Sequence, residues 1–83
     1  MSIELARDAL SARPGRYVLR EWVAPRGPLK RDYISLREAD GRELEEVPIS
    51  IFEQLIRSGV IRQVGPDDYE RGTVYRPARK RIG

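Results

Sequence analysis

The fold is decided by residues 50–64, whose sequence is SIFEQLIRSGVIRQV. The first half of this stretch carries three apolar side chains at helical spacing: Phe52, Leu55 and Ile56. This periodicity predicts a short amphipathic helix over residues 51–58. A capping box is expected at its start, with the Ser50 hydroxyl accepting a hydrogen bond from the amide of Glu53.

The second half of the same stretch predicts a change from helix to strand. Gly59 is the expected left-handed end of the helix, with Val60 folding back onto it. A strand is predicted over residues 60–64 because β-branched residues dominate there. Residues 69–76 are expected to return as its partner strand, with Gly72 a candidate bulge position.

Three further strands are predicted before this helix, over residues 16–23, 31–38 and 43–47. The second and third flank a turn at Asp40-Gly41. A three-residue loop with a left-handed glycine would place Leu36 opposite Leu44, whereas a two-residue turn would place Leu36 opposite Glu45. The first register pairs two apolar side chains, and we therefore favour it.

A short amphipathic helix is predicted at the start of the chain, over residues 2–12, with Ser2 as its N-cap. The element order is then helix, three strands, helix, two strands. This order predicts an α+β fold, a small single domain over residues 1–77 with two short helices packed on antiparallel β-hairpins. Residues 78–83 are expected to form a basic, flexible tail.

The composition argues against several classes of function. The 83 residues include no Cys and no His, which removes disulfides, thiolate and imidazole metal ligands, and the commonest general base near pH 7. No histidine is available to activate a hydroxyl nucleophile, and no glycine-rich phosphate loop is present. We therefore predict that the protein is not an enzyme and that it has no cofactor and no metal site.

The longest uninterrupted apolar run has three residues, and no basic-then-apolar leader opens the chain. These features predict a cytoplasmic protein with no membrane partner. The charges alternate in blocks: residues 16–37 carry six bases and two acids, residues 38–58 two bases and six acids, and residues 59–83 six bases and three acids. Such a pattern either offers a charged surface to a partner or neutralises itself on folding.

The sequence from Phe52 to Arg62, followed by a turn and then Tyr69 to Arg76, resembles the recognition helix and wing of winged-helix nucleic-acid-binding proteins. A helix in that family ends in Leu, a short spacer, Gly and a hydrophobic pair, and a hairpin with a charged tip follows. The resemblance covers residues 48–77, about a third of the chain. That family has two more helices before this one, whereas residues 16–47 here are predicted to be strands.

The resemblance implies a small regulator that binds DNA or RNA through the helix, the wing and the basic tail. Gln54 and Arg57 on the outward face of the helix would read base edges. Phosphate contacts would come from six further basic residues: Arg62, Arg71, Arg76, Arg79, Lys80 and Arg81.

Two functions of other classes stay open. The size, the charge blocks and the lack of a catalytic set also fit inhibitors that phages make against host machinery, anti-CRISPR proteins among them. Such an inhibitor would bind and block a nucleic-acid-handling protein complex. Its interface would use one aromatic residue and the acidic hairpin: Trp22, Glu43, Glu45 and Glu46. The third hypothesis is an assembly subunit whose hairpin edges pair into a homodimer.

Aromatic residues on the predicted strands suggest one more way to bind nucleic acid. Tyr17, Trp22 and Tyr33 would suit stacking on RNA bases if they were exposed on neighbouring strands. A domain this small needs its largest apolar residues inside, so Trp22 and Phe52 are expected in the core and the Tyr hydroxyls at the surface.

Overall fold

The structure, a computed structural model, describes residues 1–23, 31–66 and 72–78. The elements follow the predicted order: α1 (Ile3–Ala12), β1 (Tyr17–Val23), β2 (Arg31–Arg37), β3 (Glu43–Glu46), α2 (Ile49–Arg57), β4 (Ile61–Pro66) and β5 (Gly72–Pro77). Within these residues five strands form one antiparallel sheet in the order β3-β2-β1-β5-β4. Both helices contribute to one core on one face of this sheet. The α+β prediction is therefore confirmed.

The first helix begins where the sequence predicts. The Ser2 hydroxyl accepts a hydrogen bond from the amide of Leu5 at 3.2 Å, which satisfies a donor that the first turn of a helix leaves without a partner. Ala6 and Leu10 are buried, whereas Leu5 on the outer side is exposed. A helix of ten residues is marginal in water, so this packing against the core stabilises α1.

The second helix begins two residues earlier than predicted, and the capping box does not form. Its N-cap is Pro48, which has no side-chain acceptor, and no side-chain capping bond is present. The amide of Val47 binds the Ile34 carbonyl of β2 at 2.7 Å, and the amide of Phe52 binds the Pro48 carbonyl at 3.0 Å. The chain therefore turns into the helix directly after this anchor, and Ser50 lies inside the first turn.

The end of α2 confirms the prediction for Gly59, which has a φ of +78°. Its amide donates to the carbonyl of Ile56 at 3.0 Å, and the amide of Val60 donates to the carbonyl of Leu55 at 3.0 Å. These two bonds satisfy carbonyls that the last turn leaves free, and they return Val60 to the core.

The β2–β3 hairpin has the predicted loop but a different register. Gly41 is left-handed, with a φ of +94°, and its amide donates to the carbonyl of Glu38 at 2.8 Å. The prediction that Leu36 pairs with Leu44 is wrong, because the register shifts by one residue and Leu36 lies opposite Glu45. The extra residue is Leu44, which remains 37% exposed at this sheet edge.

The β4–β5 hairpin carries its bulge on β4 and not at Gly72. The register shifts between Gln63 and Gly65, which makes Val64 the extra residue. Gly65 has a φ of +129°, a conformation that a residue with a Cβ rarely adopts. Gly72 is in regular register with Glu21 of β1.

The central strand β1 pairs with both β2 and β5, so the two halves of the chain share one sheet and one core. The buried core cluster consists of Ala6, Leu10, Val18, Ile34, Leu36, Val47, Phe52, Leu55, Ile61 and Tyr75. Phe52 meets Tyr75 edge to face, with ring centroids 4.8 Å apart, which confirms the core position expected for Phe52. The side chain of Trp22 lies outside the described part.

Side chains alternate across each strand, so every second residue of the sheet points away from the helices. We call this side the open face. On β1 it carries Tyr17, Leu19 and Glu21, because Val18 belongs to the core on the other side. Leu19 is only 3% exposed although no helix of the described chain covers it.

Candidate nucleic-acid interface

Several arginines of this protein are held by carboxylates and serve the fold. Arg16 binds Glu38 through two contacts, Nε to Oε1 at 2.8 Å and Nη2 to Oε2 at 3.2 Å. Its Nη1 also donates to the carbonyl of Ala9. The hydrogen bond from Arg16 holds the pKa of Glu38 below its usual range, against the opposing effect of burial.

Arg20 makes a similar pair on the helix side of the sheet. Its Nε and Nη2 donate to the two carboxylate oxygens of Asp32 at 3.0 and 2.8 Å. The guanidinium carbon lies 5.7 Å from the centroid of the Phe52 ring. The hydrogen bond from Arg20 lowers the pKa of Asp32, so both side chains stay charged near neutral pH.

Arg37 is the centre of a third network, on the open face. Its Nε donates to Ser35 Oγ at 2.9 Å and its Nη2 to Glu21 Oε1 at 3.2 Å. Glu43 Oε1 lies 3.5 Å from the same Nη2, and Glu43 Oε2 accepts from the Tyr33 hydroxyl at 2.7 Å. That hydrogen bond raises the pKa of Tyr33. The β2 half of the open face is therefore a hydrogen-bonded network in which two carboxylates offset the charge of Arg37.

A second group of arginines carries charge without such partners. Arg62 on β4 and Arg76 on β5 are directly paired on neighbouring strands, and both residues are exposed. Arg13, in the turn after α1, is also exposed. None of the three forms an ion pair with a carboxylate of the described residues. We call Arg13, Arg62 and Arg76 the arginine cluster.

A groove of about 460 Å³ runs past this cluster. Arg13 and Pro14 line it from the turn, and Arg76 and Ala78 line it from the end of β5. The amide of Ala78 donates to the carbonyl of Val60 at 2.9 Å, which fixes the end of β5 there. The chain thus enters its last five residues beside the groove.

The structure describes two of the six predicted phosphate-binding residues. Arg62 and Arg76 belong to the cluster. The predicted contacts Arg71, Arg79, Lys80 and Arg81 lie outside the described residues, although the last three follow Ala78 closely in the sequence.

The predicted base-reading residues lie elsewhere. Gln54 and Arg57 are exposed on α2, where they line a shallow depression of about 240 Å³ against the start of α1. Because α2 packs on the face opposite the open face, the sheet separates them from Arg62 and Arg76. The structure therefore does not bring the two predicted sets together on one surface.

Three of the four predicted protein-interface residues lie on the edge strand β3. All three, Glu43, Glu45 and Glu46, are exposed there, although Glu43 is engaged by Tyr33 and Arg37. Trp22 lies on β1, where its backbone is in register with Asp32. Since β3 and β4 are opposite edges of the sheet, one edge is acidic and the other carries Arg62.

Sequence reasoning did not single out Arg13, and it considered Tyr17 only as one of several candidate stacking residues. The guanidinium carbon of Arg76 lies 5.1 Å from the centroid of the Tyr17 ring. No periodicity or motif relates Arg13, Tyr17 and Arg76, since β1–β5 pairing alone brings the distant parts of the chain together.

In the described residues, no helix has the length and apolar character needed to cross a membrane. The helix α2 followed by the β4–β5 hairpin is the part that resembles a winged helix, and this resemblance stays a prediction. Comparison of the chain with protein-family models, with curated proteins and with solved structures gives no match.

Proposed function

We propose that this protein is a small non-catalytic nucleic-acid-binding regulator that contacts the phosphate backbone through the arginine cluster and the basic tail. One observation carries the proposal: Arg62 and Arg76 are directly opposite each other with no carboxylate partner among the described residues. Like charges in this position destabilise a sheet. A phosphate bound between them would relieve the repulsion.

The chemistry of the cluster supports phosphate as its ligand. A guanidinium presents several N–H donors in one plane, and this geometry matches the oxygens of a phosphate group. Arg13 extends the positive surface across the groove from Arg76. In the sequence, Arg79, Lys80 and Arg81 follow Ala78 within three residues and add three more positive charges, which favour attraction of a polyanion.

This proposal centres binding on the end of the sheet and not on α2. A helix that reads bases needs its polar face on the side that also contacts phosphates. Gln54 and Arg57 are separated by the sheet from the cluster, so we expect their replacement to leave both affinity and sequence preference unchanged.

Fluorescence anisotropy tests the proposal with labelled single-stranded RNA and mixed duplex DNA, each titrated with the full chain. Between about 50 and 200 mM salt, affinity is expected to fall roughly a hundredfold or more. Arg13→Ala, Arg62→Ala and Arg76→Ala should each reduce the slope of log affinity against log salt by about 0.7 on single strands and 0.9 on duplex. Arg7→Ala is the matched control, because Arg7 is an exposed arginine of α1.

The outcomes separate the surfaces. Absence of binding at low salt would reject the proposal. A slope that changes with Arg57→Ala but not with the cluster variants would move the interface to α2. Simultaneous replacement of Arg79, Lys80 and Arg81 by Ala should weaken binding to all sequences alike, since phosphate contacts carry no sequence information.

A second candidate function rests on the acidic edge strand. Glu45 and Glu46 are exposed on β3, whose outer edge no described strand pairs. This surface favours a phage-type inhibitor that binds a basic nucleic-acid-handling protein. Such an inhibitor should keep its inhibitory effect in a cell extract after deletion of residues 79–83, and lose it on Glu45→Lys with Glu46→Lys. If the protein is a nucleic-acid-binding regulator, deletion of residues 79–83 should weaken its binding to nucleic acid, and Glu45→Lys with Glu46→Lys should not.

A further inference from the structure

The contact between Arg76 and Tyr17 joins a cation to an aromatic ring at the edge of the arginine cluster. The guanidinium carbon lies 5.1 Å from the ring centroid, within the range of a cation–π interaction. The Nη1 atom is also 3.5 Å from the carbonyl oxygen of Gly15. Arg76 is exposed, so its side chain is accessible to a ligand.

The ring beneath this guanidinium is held in place by its surroundings. Tyr17 is half-buried on the central strand β1, which pairs on both sides. A Cβ on Gly41 would lie 3.6 Å from the Tyr17 hydroxyl oxygen, so the hydroxyl end of the ring lies near the β2–β3 turn. A flat surface fixed in this way loses little conformational freedom when a second flat group stacks on it.

Resting on the proposed function, we infer that the Tyr17–Arg76 stack is a subsite for an unpaired nucleobase, and that the protein prefers single-stranded nucleic acid. Bases stack on arginine planes and aromatic rings in single-strand recognition. In a duplex both faces of a base are covered by its neighbours, so the stack would have no base to receive. Arg62, directly opposite Arg76, binds the phosphate of the nucleotide whose base is stacked.

Tyr33, a second aromatic residue of the described open face, is not part of this subsite. Tyr33 donates its hydroxyl to Glu43 at 2.7 Å and belongs to the network around Arg37, whose charge two carboxylates offset. The inference therefore places one base beside the cluster and does not extend a row of bases across the sheet.

The test compares three labelled probes with the full chain: a single-stranded DNA of mixed sequence, the same strand with abasic sites throughout, and its duplex. The abasic strand keeps every phosphate and removes every base. Because stacking on an aromatic residue accounts for about 1–3 kcal/mol per base, the base-containing strand should bind about five- to 150-fold more tightly than the abasic one.

Two lysine variants separate planarity from charge. Arg76→Lys keeps the charge and removes the planar group, so it should reduce or abolish the difference in affinity between the base-containing and the abasic strand. Arg62→Lys is the matched control from the same cluster, and should preserve the difference between the two strands. Tyr17→Leu should act like Arg76→Lys, and Tyr17→Phe like the wild type, with circular dichroism checking the fold of each.

Each outcome bears on a different statement. Equal affinity for base-containing and abasic strands overturns the stacking inference and leaves phosphate binding standing. Binding to the duplex at least as tight as to the single strand also overturns it. No binding to any of the three probes at low salt rejects the proposed function itself, and the subsite with it.

Discussion

The Nε atom of Arg16 lies 2.8 Å from Oε1 of Glu38, and the side chains of both residues are nearly buried, at 13% and 11% exposure. This ion pair connects the start of β1 to the end of β2, beside the groove that Arg13 and Arg76 line. Removing one member of a buried pair leaves the other charge without compensation. Arg16 also lines this groove, but Glu38 offsets its charge, whereas Arg13 and Arg76 line the groove without an ion-pair partner among the described residues.

Acidification should weaken this end of the molecule. The folded pKa of Glu38 lies below its ordinary value of 4.5 because Arg16 hydrogen-bonds its charged form. The stability that it contributes is thus present above about pH 4.5 and is lost as the pH falls through the folded pKa. Urea unfolding from about pH 7 to pH 3 should show a gap in free energy between wild type and Glu38→Gln that narrows with acidity.

Arg20 also lowers the pKa of Asp32 by hydrogen-bonding its carboxylate, but Asp32 is present in both proteins and its effect cancels in the difference. The same measurement on Asp32→Asn gives the pH dependence of the free energy of unfolding that the Arg20–Asp32 ion pair contributes. A gap between wild type and Glu38→Gln that stays constant down to low pH would contradict the assigned role of the Arg16–Glu38 contact.

Gly15 is expected to tolerate no side chain. It has a φ of +83°, and an added Cβ would lie 2.7 Å from the Cβ of Ala39. Gly15→Ala should lower the free energy of unfolding by about 1–3 kcal/mol from the backbone conformation alone, with the clash in addition. The double variant Gly15→Ala with Ala39→Gly lacks the Ala39 Cβ. Its melting temperature should therefore recover the part of the loss that the clash causes. Equal loss in the single and double variants would show that only the backbone matters.

Phe52 should dominate the core. It is 2% exposed and stacks edge to face on Tyr75. Truncation of a buried Phe to Ala typically costs about 3–5 kcal/mol, against a total of about 4–12 kcal/mol for a domain of this size. We expect Phe52→Ala to be largely unfolded at 37 °C by circular dichroism. Ile56→Ala on the same helix is the control, since Ile56 is 41% exposed, and its effect should be far smaller.

The pairing of Arg62 on β4 with Arg76 on β5 should favour nucleic-acid binding and lower the stability of the fold. Arg62→Glu replaces a like-charge pair with an opposite-charge pair facing Arg76, so stability should rise by up to about 1 kcal/mol while nucleic-acid affinity falls. Arg7→Glu changes the net charge equally and controls for it. A variant that is less stable than wild type in urea, or that binds as well, would contradict the interpretation of this pair as a ligand site.

Much of the local structure followed from sequence. The Ser2 cap, the left-handed Gly59 and the loop at Gly41 depend on neighbouring residues only, and each was predicted. The errors lie where a more distant contact overrode a local signal. Ser50 is not the cap of α2 because the bond from Val47 to β2 fixes where the helix begins.

The register of β2 and β3 shows the same limit. A preference for apolar pairs put Leu36 opposite Leu44, but a bulge moves Glu45 into that position. The pattern of side chains cannot reveal such a bulge, since an inserted residue reverses the alternation only from that point on. Likewise, sequence proposed Arg62 and Arg76 as phosphate contacts but grouped them with Gln54 and Arg57, which the sheet separates from them.

The sequence by itself determined the number and order of helices and strands and the core positions of Phe52 and Leu55, because periodicity and turn chemistry act over a few neighbouring residues. Ile56, predicted on the same inward stripe, is 41% exposed. Only the tertiary structure decided which charges remain available. Arg16, Arg20 and Arg37 are paired with carboxylates from other strands or turns, whereas Arg13, Arg62 and Arg76 form no ion pair with a carboxylate of the residues that the structure describes. All six look alike in the sequence, since the partner of a charge is set by strand pairing between residues far apart in the chain.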